Sequence, residues 1–476
     1  MIETDCPAVR LSPTTVPSRV LRGAPPMATV PTMEIDEDRH RAVTAQGLDE
    51  RAVREQIQGR VPSVVLGAAR QGDEIAGAAA GLADVESGVA AAGSVPYRIG
   101  SITKTFTAAL VLSLVEDGVL CLDDRVEEHL PGTPLGSATV RTLLSHSGGV
   151  QREVPGDMWA SMRGPDSREL RSALARAEQV DRPGARWHYS NLGYAVLGQV
   201  VERVTGTGCP VLINERLIRP LGLPATTWGR PAGAAVGYRV DPYTDLVHRE
   251  PDMDQAAVGV GGQLWSTVGD LLVWGDALAG GAPEVVAPAV VEAMHTLQVM
   301  VDTSGWTSGW GLGLILERRV HRVVAGHTGA MPGFLSALSI DRPTRSVAVA
   351  LSNATRGAAV GVVAAALVDD LAASAPEPTP GPWRPAEDVP TELDGVLGRW
   401  WSEADETVFT WRAGVLRARL VSAPAASETT FERLEQDRYR AVAGRFRGEY
   451  LVVHRDAAGG VAGLEWATYP FTRAPR

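Results

Sequence analysis

The stretch "IGSITKTFTAAL" at residues 99–110 contains Lys104, the only lysine of the chain. All the others of its 45 Lys and Arg residues are arginines. A helix is predicted from Ser101 to about Asp117, since apolar residues recur at positions 106, 109, 110, 112 and 114. Residues three apart share a helix face, so we expect Lys104 to stand one turn above Ser101 and to face the same space.

The pairing of Ser101 with Lys104 suggests a nucleophile and its base. A serine hydroxyl is a poor nucleophile without a neighbouring base, and an arginine cannot serve because its pKa exceeds about 12. A lysine can lose its proton where burial and the positive end of a helix disfavour the charged amine. The alternative is a helix-capping serine followed by a surface lysine, and the short S-x-x-K pattern alone favours that alternative.

Two further motifs carry polar residues at the ends of predicted elements. In "WHYSNLGYAVLG" (187–198), Tyr189 and Asn191 precede a helix, where they act either in a site or as turn and capping residues. In "AGHTGAMPGF" (325–334), His327, Thr328 and Gly329 end one predicted strand. The alternative for this segment is a hairpin turn with a tolerated histidine.

The strand pattern predicts an antiparallel sheet. Two strands, "PSVVLGAAR" (62–70) and "DEIAGAAAGLA" (73–83), flank a short turn. A largely helical stretch separates them from four consecutive strands, "WGLGLILE", "HRVVAGHTG", "FLSALSID" and "SVAVALSNA". These four follow one another without helices, which is typical of antiparallel pairing, and a helix over 357–375 is expected to cover the sheet.

Composition shifts divide the chain into four parts. Residues 1–45 are predicted to be a flexible lead, 46–374 an α/β domain, 375–390 a stiff proline-rich linker, and 391–476 a small domain. The last part alternates aromatic and polar residues in short runs punctuated by turns. It is predicted to form an up-and-down β-sandwich or barrel.

Charge and cysteine content exclude several classes of function. The net charge is −11 without a basic run, so no nucleic-acid partner is expected. The three cysteines are far apart and the nine histidines dispersed, so neither a metal nor another cofactor is expected. The longest apolar stretch, at 357–368, is shorter than a membrane span, and the beginning of the chain has no apolar signal region. These observations predict a cytoplasmic protein that does not bind membranes.

The order S-x-x-K, Y-x-N, H-T-G resembles the serine β-lactamase and penicillin-binding-protein-like family, which includes class C β-lactamases, H-T-G-type DD-peptidases, esterases and thioesterases. Flanking text such as "TVRTLLSHSGG" and "GVGGQLWSTVGDL" is similar as well, and the resemblance covers about residues 48–372. It implies an antiparallel sheet flanked by helices plus a helical subdomain, with the catalytic site between them. The small C-terminal domain resembles a lipocalin.

The resemblance also implies roles for the first two motifs. Ser101 would be the acylated nucleophile, Lys104 would help to deprotonate it, and Tyr189 would move protons to the leaving group and from the incoming nucleophile. Asn191 would bind the amide carbonyl of the substrate. Whether Lys104 or Tyr189 is the base stays open.

The third motif would complete the site. His327, Thr328 and Gly329 would bind substrate, and the backbone N–H groups of Ser101 and Ala330 would form the oxyanion hole. A histidine at position 327 is expected to titrate near pH 6–7 and to hold a substrate carboxylate less firmly than a lysine would. His146 is interpreted as a core or turn residue outside the site, and His188 is ambiguous.

The predicted reaction is acyl transfer through an acyl-Ser101 intermediate, with an ester, thioester or amide as donor. The layout resembles penicillin-binding-protein-type thioesterases, which release and macrocyclise nonribosomal peptides. The alternatives are an esterase or D-amino-acid-specific peptidase of the same family, or a non-catalytic binding protein on this fold. The expected partner is a small-molecule or peptide donor, free or bound to a carrier protein. The C-terminal domain either packs on the catalytic domain or shapes the donor site.

Overall fold

The chain divides into two compact units, Met1–Ala375 and Pro376–Arg476. The computed structural model describes residues 43–320, 322–375, 388–424 and 427–475. The predicted lead over 1–45 and the predicted linker over 375–390 therefore fall mostly outside the described residues.

An antiparallel sheet forms the centre of the first unit. The described strands of this unit are β1 (Ser63–Arg70), β2 (Asp73–Asp84), β3 (Val89–Ala90), β4 (Tyr97–Arg98), β5 (Tyr238–Val240), β6 (Val247–Arg249), β7 (Trp265–Ser266), β8 (Val299–Met300), β9 (Ser308–Trp310), β10 (Ile315–Arg318), β11 (Val323–Met331), β12 (Phe334–Asp341) and β13 (Ser346–Ser352). Nine of these described strands form one sheet in the order β3-β2-β1-β13-β12-β11-β10-β9-β8. All neighbouring pairs are antiparallel, which confirms the predicted sheet.

The segment "WGLGLILE" (310–317), predicted as one strand, contains the end of one strand and the beginning of the next. β9 ends at Trp310, β10 begins at Ile315, and the two pair with each other. Gly313, between them, has a φ of +90°, and a Cβ on it would fall 2.3 Å from the Ala108 side chain. The chain turns here because only glycine combines this backbone conformation with so close an approach.

Helices cover both faces of the sheet. The described α-helices are α1 (Ala45–Gly59), α2 (Thr103–Glu116), α3 (Val126–His129), α4 (Val140–Leu144), α5 (Met158–Ser161), α6 (Ser167–Leu174), α7 (Asn191–Thr205), α8 (Cys209–Ile213), α9 (Val268–Leu278), α10 (Pro288–His295) and α11 (Val360–Ala373). Alternate residues of a strand face opposite sides. Val64 and Leu66 accordingly share a core with α1 and α11, whereas Val65 shares the larger core with α2 and α9.

Helix α2 is the central element of the larger core. Residues Thr103–Leu112 of α2 are buried all round, a pattern typical of a helix enclosed by other elements. The Phe106 ring stacks on Trp274 of α9 at a centroid distance of 3.9 Å, and the Trp274 indole donates to Thr105 Oγ1. These contacts fix the start of α2, where Ser101 and Lys104 lie.

The second unit is an up-and-down barrel. Its described strands are β14 (Gly398–Ser402), β15 (Asp405–Arg412), β16 (Val415–Leu420), β17 (Thr429–Glu435), β18 (Arg438–Ala441), β19 (Tyr450–Arg455), β20 (Val461–Trp466) and β21 (Tyr469–Phe471). They pair in sequence order. A bridge between Trp401 and Thr472, with two backbone hydrogen bonds of 2.8 Å, brings the first strand back to the last. The lipocalin-like all-β prediction is confirmed.

Aromatic side chains fill the barrel. Trp400, Phe409, Phe431 and Trp466 belong to a separate core that shares no residue with the cores of the first unit. In the described parts of both units, every helix is too short or too polar to cross a membrane.

Candidate active site

Ser101 lies in a single 3₁₀ turn, Gly100–Ile102, that joins β4 to α2. The helix itself begins at Thr103, two residues later than predicted, and Ser101 does not cap it. The Ser101 hydroxyl instead meets the Lys104 amine at 3.0 Å and the Tyr189 hydroxyl at 2.9 Å. The alternative of a capping serine with a surface lysine is therefore wrong.

Lys104 is fully buried and has three hydrogen-bond acceptors. Its Nζ donates to Ser101 Oγ at 3.0 Å, to Asn191 Oδ1 at 2.8 Å and to the Gly261 carbonyl at 2.6 Å. The Gly261 and Asn191 oxygens can only accept. A neutral amine would give its two protons to those oxygens and direct its lone pair at Ser101 Oγ.

Tyr189 and Asn191 reach the site from the start of α7. Ser190 between them is the N-cap, because its hydroxyl accepts from Gly193 N at 2.8 Å. The alternative in which Asn191 caps the helix is therefore wrong, and its side chain contacts Lys104. One turn of chain thus delivers one polar group to Ser101 and another to Lys104.

Glu153 is a site residue that the sequence analysis did not name. Its Oε1 accepts from Asn191 Nδ2 at 2.7 Å, and its Oε2 is buried without a partner in the described part of the chain. Because a carboxylate only accepts, this contact turns the amide so that Asn191 Oδ1 faces Lys104. No short motif marks Glu153, which lies in a loop between motifs.

Strand β11 carries the third motif past Ser101. A Cβ on Gly329 would fall 2.0 Å from the Ile99 carbonyl, and a Cβ on Gly100 would fall 2.7 Å from the Ala330 nitrogen. The turn that holds Ser101 therefore lies directly against the backbone of Gly329 and Ala330. This close packing brings the backbones of the two predicted oxyanion donors together.

His327 is buried and uncharged. Burial, together with the nearby Lys104 amine, lowers its pKa to about 3, so the expected titration near pH 6–7 is wrong. Its Nδ1 lies 2.6 Å from the Thr328 carbonyl. A carbonyl cannot donate, so Nδ1 carries the proton and Nε2 is an acceptor. Nε2 has no partner in the described residues.

These residues line one open cavity of about 720 Å³. Ser101, Tyr189, Asn191 and residues 327–330 contribute to its wall, as do residues 358–362, which lead into α11. Trp159, Trp187 and Trp310 add aromatic surface that the sequence analysis did not predict. The wall of the cavity therefore exposes the Ser101 hydroxyl beside the Tyr189 hydroxyl, among aromatic and polar side chains.

A histidine that the sequence analysis left outside the site also contacts it. The His146 ring stacks against Tyr189 at a centroid distance of 4.2 Å. His188 donates its backbone N–H to the His146 carbonyl at 2.7 Å. The described residues contain no cluster of His, Cys, Asp or Glu that could hold a metal ion.

Protein-family models match the sequences of both units. Residues 43–373 match the Beta-lactamase family, and residues 389–473 match a domain of unknown function, DUF7586. The first match covers well over half of the chain. The chain therefore belongs to the Beta-lactamase family and is a serine hydrolase or acyltransferase of that class.

Individual relatives are identical to this chain at about a quarter to a third of the aligned positions. Penicillin-binding protein 4 of Amycolatopsis lactamdurans is 30% identical over 316 residues, 62% of this chain and 81% of that protein. A D-stereospecific amidohydrolase from Streptomyces sp. has a TM-score of 0.58 and 27% identity, covering 66% of this chain and 96% of the other.

The structure of SurE extends the similarity beyond the first unit. It has a TM-score of 0.56 and 28% identity, and covers 90% of this chain and 100% of its own. A second SurE structure contains D-Leu, with a TM-score of 0.54 and 28% identity.

Proposed function

We propose that this protein forms an acyl-enzyme at Ser101 from a peptidyl ester or thioester whose acyl residue has the D configuration. The observation that carries the proposal is the Ser101 hydroxyl held between the Lys104 amine and the Tyr189 hydroxyl, at 3.0 and 2.9 Å. Attack by a serine requires a neighbouring base, and each of these two groups can take the Ser101 proton in its deprotonated form.

The proposed reaction has two stages. The Ser101 proton passes to the Lys104–Tyr189 pair while Oγ attacks the donor carbonyl, and the backbone N–H groups of Ser101 and Ala330 stabilise the oxyanion. Tyr189 then returns a proton to the leaving alcohol or thiol. An acceptor, either water or an amine of the peptide itself, then attacks the acyl carbonyl and gives its proton to the same pair. The bond between that carbonyl and Ser101 Oγ breaks, and the pair returns the proton to Oγ.

The D configuration is supported by relatives above 25% identity. The Streptomyces enzyme is described as D-stereospecific, and one SurE structure contains D-Leu. A peptide donor delivered by a carrier protein and a macrocyclising thioesterase activity are proposed on the resemblance to penicillin-binding-protein-type thioesterases, whose small C-terminal β domain has a counterpart in the second unit.

A second candidate is hydrolysis of small, free D-amino acid esters or amides. The amidohydrolase from Streptomyces aligns over 96% of its length with only 66% of this chain, so the first unit alone matches an enzyme of that description. In this case the acceptor is water and no carrier protein is needed.

Intact-protein mass spectrometry with matched donors tests the proposal. Wild type and Ser101→Ala are exposed to a peptidyl thioester ending in a D-residue, its L-epimer, a D-amino acid amide and a penicillin. We expect the acyl mass on wild type only, with the D-thioester reacting at least about ten times faster than the L-epimer.

The product identifies the acceptor. A product lighter than the hydrolysed peptide by one water indicates cyclisation, whereas turnover of the amide with no cyclic product selects the second candidate. No adduct and no turnover with any donor would contradict both and favour a binding protein on this fold.

A further inference from the structure

His146 is buried in an unusual backbone conformation. Its side chain is 1% exposed, and its φ of +56° lies in the left-handed region, which few residues other than glycine adopt and in which asparagine, aspartate and histidine are enriched. It lies two residues beyond the end of α4, and its N–H donates to the Leu143 carbonyl at 3.2 Å. The backbone conformation alone does not explain a buried imidazole, whose ring nitrogens need partners.

The imidazole makes one hydrogen bond, and that bond is to the start of α7. His146 Nδ1 lies 3.1 Å from the backbone nitrogen of Ser190, the residue between Tyr189 and Asn191. Because an N–H donates, Nδ1 is the acceptor, and the proton of the neutral ring is on Nε2. The ring thereby holds the backbone from which both site side chains extend.

The same ring supports the Tyr189 side chain. The His146 and Tyr189 rings lie 4.2 Å apart and are tilted by 33°, and Trp310 packs edge-on against His146 at 4.8 Å. The hydroxyl at the tip of the same Tyr189 ring contacts Ser101 Oγ. Trp310 also packs against the Tyr189 ring, at a centroid distance of 5.8 Å, but the His146 ring is nearer. Loss of the imidazole would therefore remove the nearest aromatic support of the tyrosine ring and let its hydroxyl shift.

The surroundings keep His146 neutral. Burial lowers its pKa well below 6.5, and Lys104, His327, Arg152 and His188 add to this. Protonation at Nδ1 would remove the acceptor for Ser190. The hydrogen bond and the absence of charge thus support each other.

We propose that His146 is a positioning residue that acts through Tyr189 in the acyl transfer. It accepts from Ser190 N–H to hold the backbone, and its ring holds the tyrosine hydroxyl against Ser101 Oγ. This inference rests on the proposed acyl-enzyme function and adds to it a residue that contacts neither the donor nor the reacting atoms.

Two substitutions separate the two contacts. His146→Asn keeps an acceptor at the position of Nδ1 and tolerates the left-handed backbone, but it removes the ring. His146→Phe keeps a ring and loses the acceptor. We expect each to lower kcat for an activated ester about 10- to 100-fold, while KM changes less than about 3-fold.

A double-mutant cycle with Tyr189→Phe distinguishes positioning from a general loss of structure. If His146 acts through the tyrosine hydroxyl, His146→Asn should change the rate of Ser101 acylation less than about 2-fold in the Tyr189→Phe background. An equal loss in both backgrounds, or no loss in either, would overturn the proposal.

The position of Tyr189 can also be followed by NMR, a measurement that does not require Tyr189→Phe to be active. In protein labelled with ¹³C-tyrosine, the Tyr189 ring resonances, assigned by their absence in Tyr189→Phe, should shift or broaden in His146→Asn. The matched control is His295→Asn in α10, whose Nδ1 bonds to its own helix at Val291 O, 2.9 Å away. Unchanged Tyr189 resonances in His146→Asn would contradict the proposal.

The outcomes separate this inference from the function on which it rests. If Ser101→Ala retains full turnover, the proposed function fails, whereas the tyrosine resonances still report on positioning. If Ser101→Ala is inactive and the His146 variants turn over at the wild-type rate, the function stands and the positioning role fails.

Discussion

At the scale of single residues, Lys104 has surroundings that no arginine could share. Three oxygens meet one nitrogen within 3.0 Å in a fully buried place. A planar guanidinium presents its donors as a fork, and it cannot accept a proton. The single lysine of the chain thus lies where both the shape and the acid–base chemistry of an amine are needed.

Lys104→Arg should therefore remove activity, and a thermal melt of the variant separates loss of chemistry from loss of fold. We expect turnover to fall by about 10²- to 10⁴-fold, the range typical of a lost general base. The measurement is the rate of Ser101 acylation by an activated ester. Arg141→Lys, an exchange at a surface pair with Asp123, is the control and should be silent. An active Lys104→Arg variant would exclude proton transfer to this residue.

His327 determines which charge the cavity accepts. With a pKa of about 3 it is neutral across the physiological range and offers a lone pair, so it cannot hold a carboxylate by charge. His327→Lys should raise the acylation rate for a penicillin about tenfold relative to a neutral ester, because an ammonium attracts the carboxylate. The neutral variant His327→Gln is the control. Equal rate ratios in the two variants would argue against this role.

At the scale of elements, the turn before α2 joins Ser101 to strand β11. Gly100 has a φ of +50°, and a Cβ on it would meet the Ala330 nitrogen at 2.7 Å. Two separate requirements, a left-handed backbone and the absence of a side chain, therefore select glycine here. The second requirement links the nucleophile to the backbone of its predicted oxyanion partner.

Gly100→Ala is expected to lower both activity and stability. Gly118→Ala is the matched control, since Gly118 also has a positive φ, +72°, but open space around its Cβ position. Both variants carry the left-handed backbone penalty of about 1–2 kcal/mol, and only Gly100→Ala must push Ala330 away. Thermal melts and turnover of an activated ester measure the difference. Equal losses in the two variants would show that the contact with Ala330 has no consequence.

Local patterns predicted most elements but missed two boundaries. Long, mainly apolar segments located α2, α7 and α11, because such segments are buried whatever their neighbours are. The sequence patterns also placed the start of α2 at Ser101, which lies in a 3₁₀ turn. They predicted a single strand where β9 and β10 are two strands. In both places the backbone follows a close tertiary contact, at Ala330 or Ala108, that no local pattern contains.

At the scale of the whole molecule, buried neutral histidines make stability depend on pH. Burial lowers the pKa of His295 to about 4 and that of His327 to about 3, and it lowers the pKa of His146 as well. At a pH between these values and the ordinary histidine pKa of about 6.5, the unfolded chain binds more protons than the folded chain does. The free energy of unfolding therefore falls as pH drops below about 6.5.

We expect the melting transition of the first unit to occur at a lower temperature at pH 5 than at pH 7.5. In His295→Phe, the free energy of unfolding should depend less steeply on pH, since one of the three groups is gone. A slope that is identical in wild type and His295→Phe would contradict this account.

The sequence by itself determined the sheet, the barrel and the three motifs, because strand alternation, helix periodicity and short spacings are local properties of the chain. It also related Ser101 to Lys104, which one helical turn separates. Only the tertiary structure decided that Glu153 orients Asn191, that His146 lies behind Tyr189 and that His327 is uncharged. These facts depend on contacts between distant segments and on burial, and distance and solvent exclusion arise only when those segments pack together.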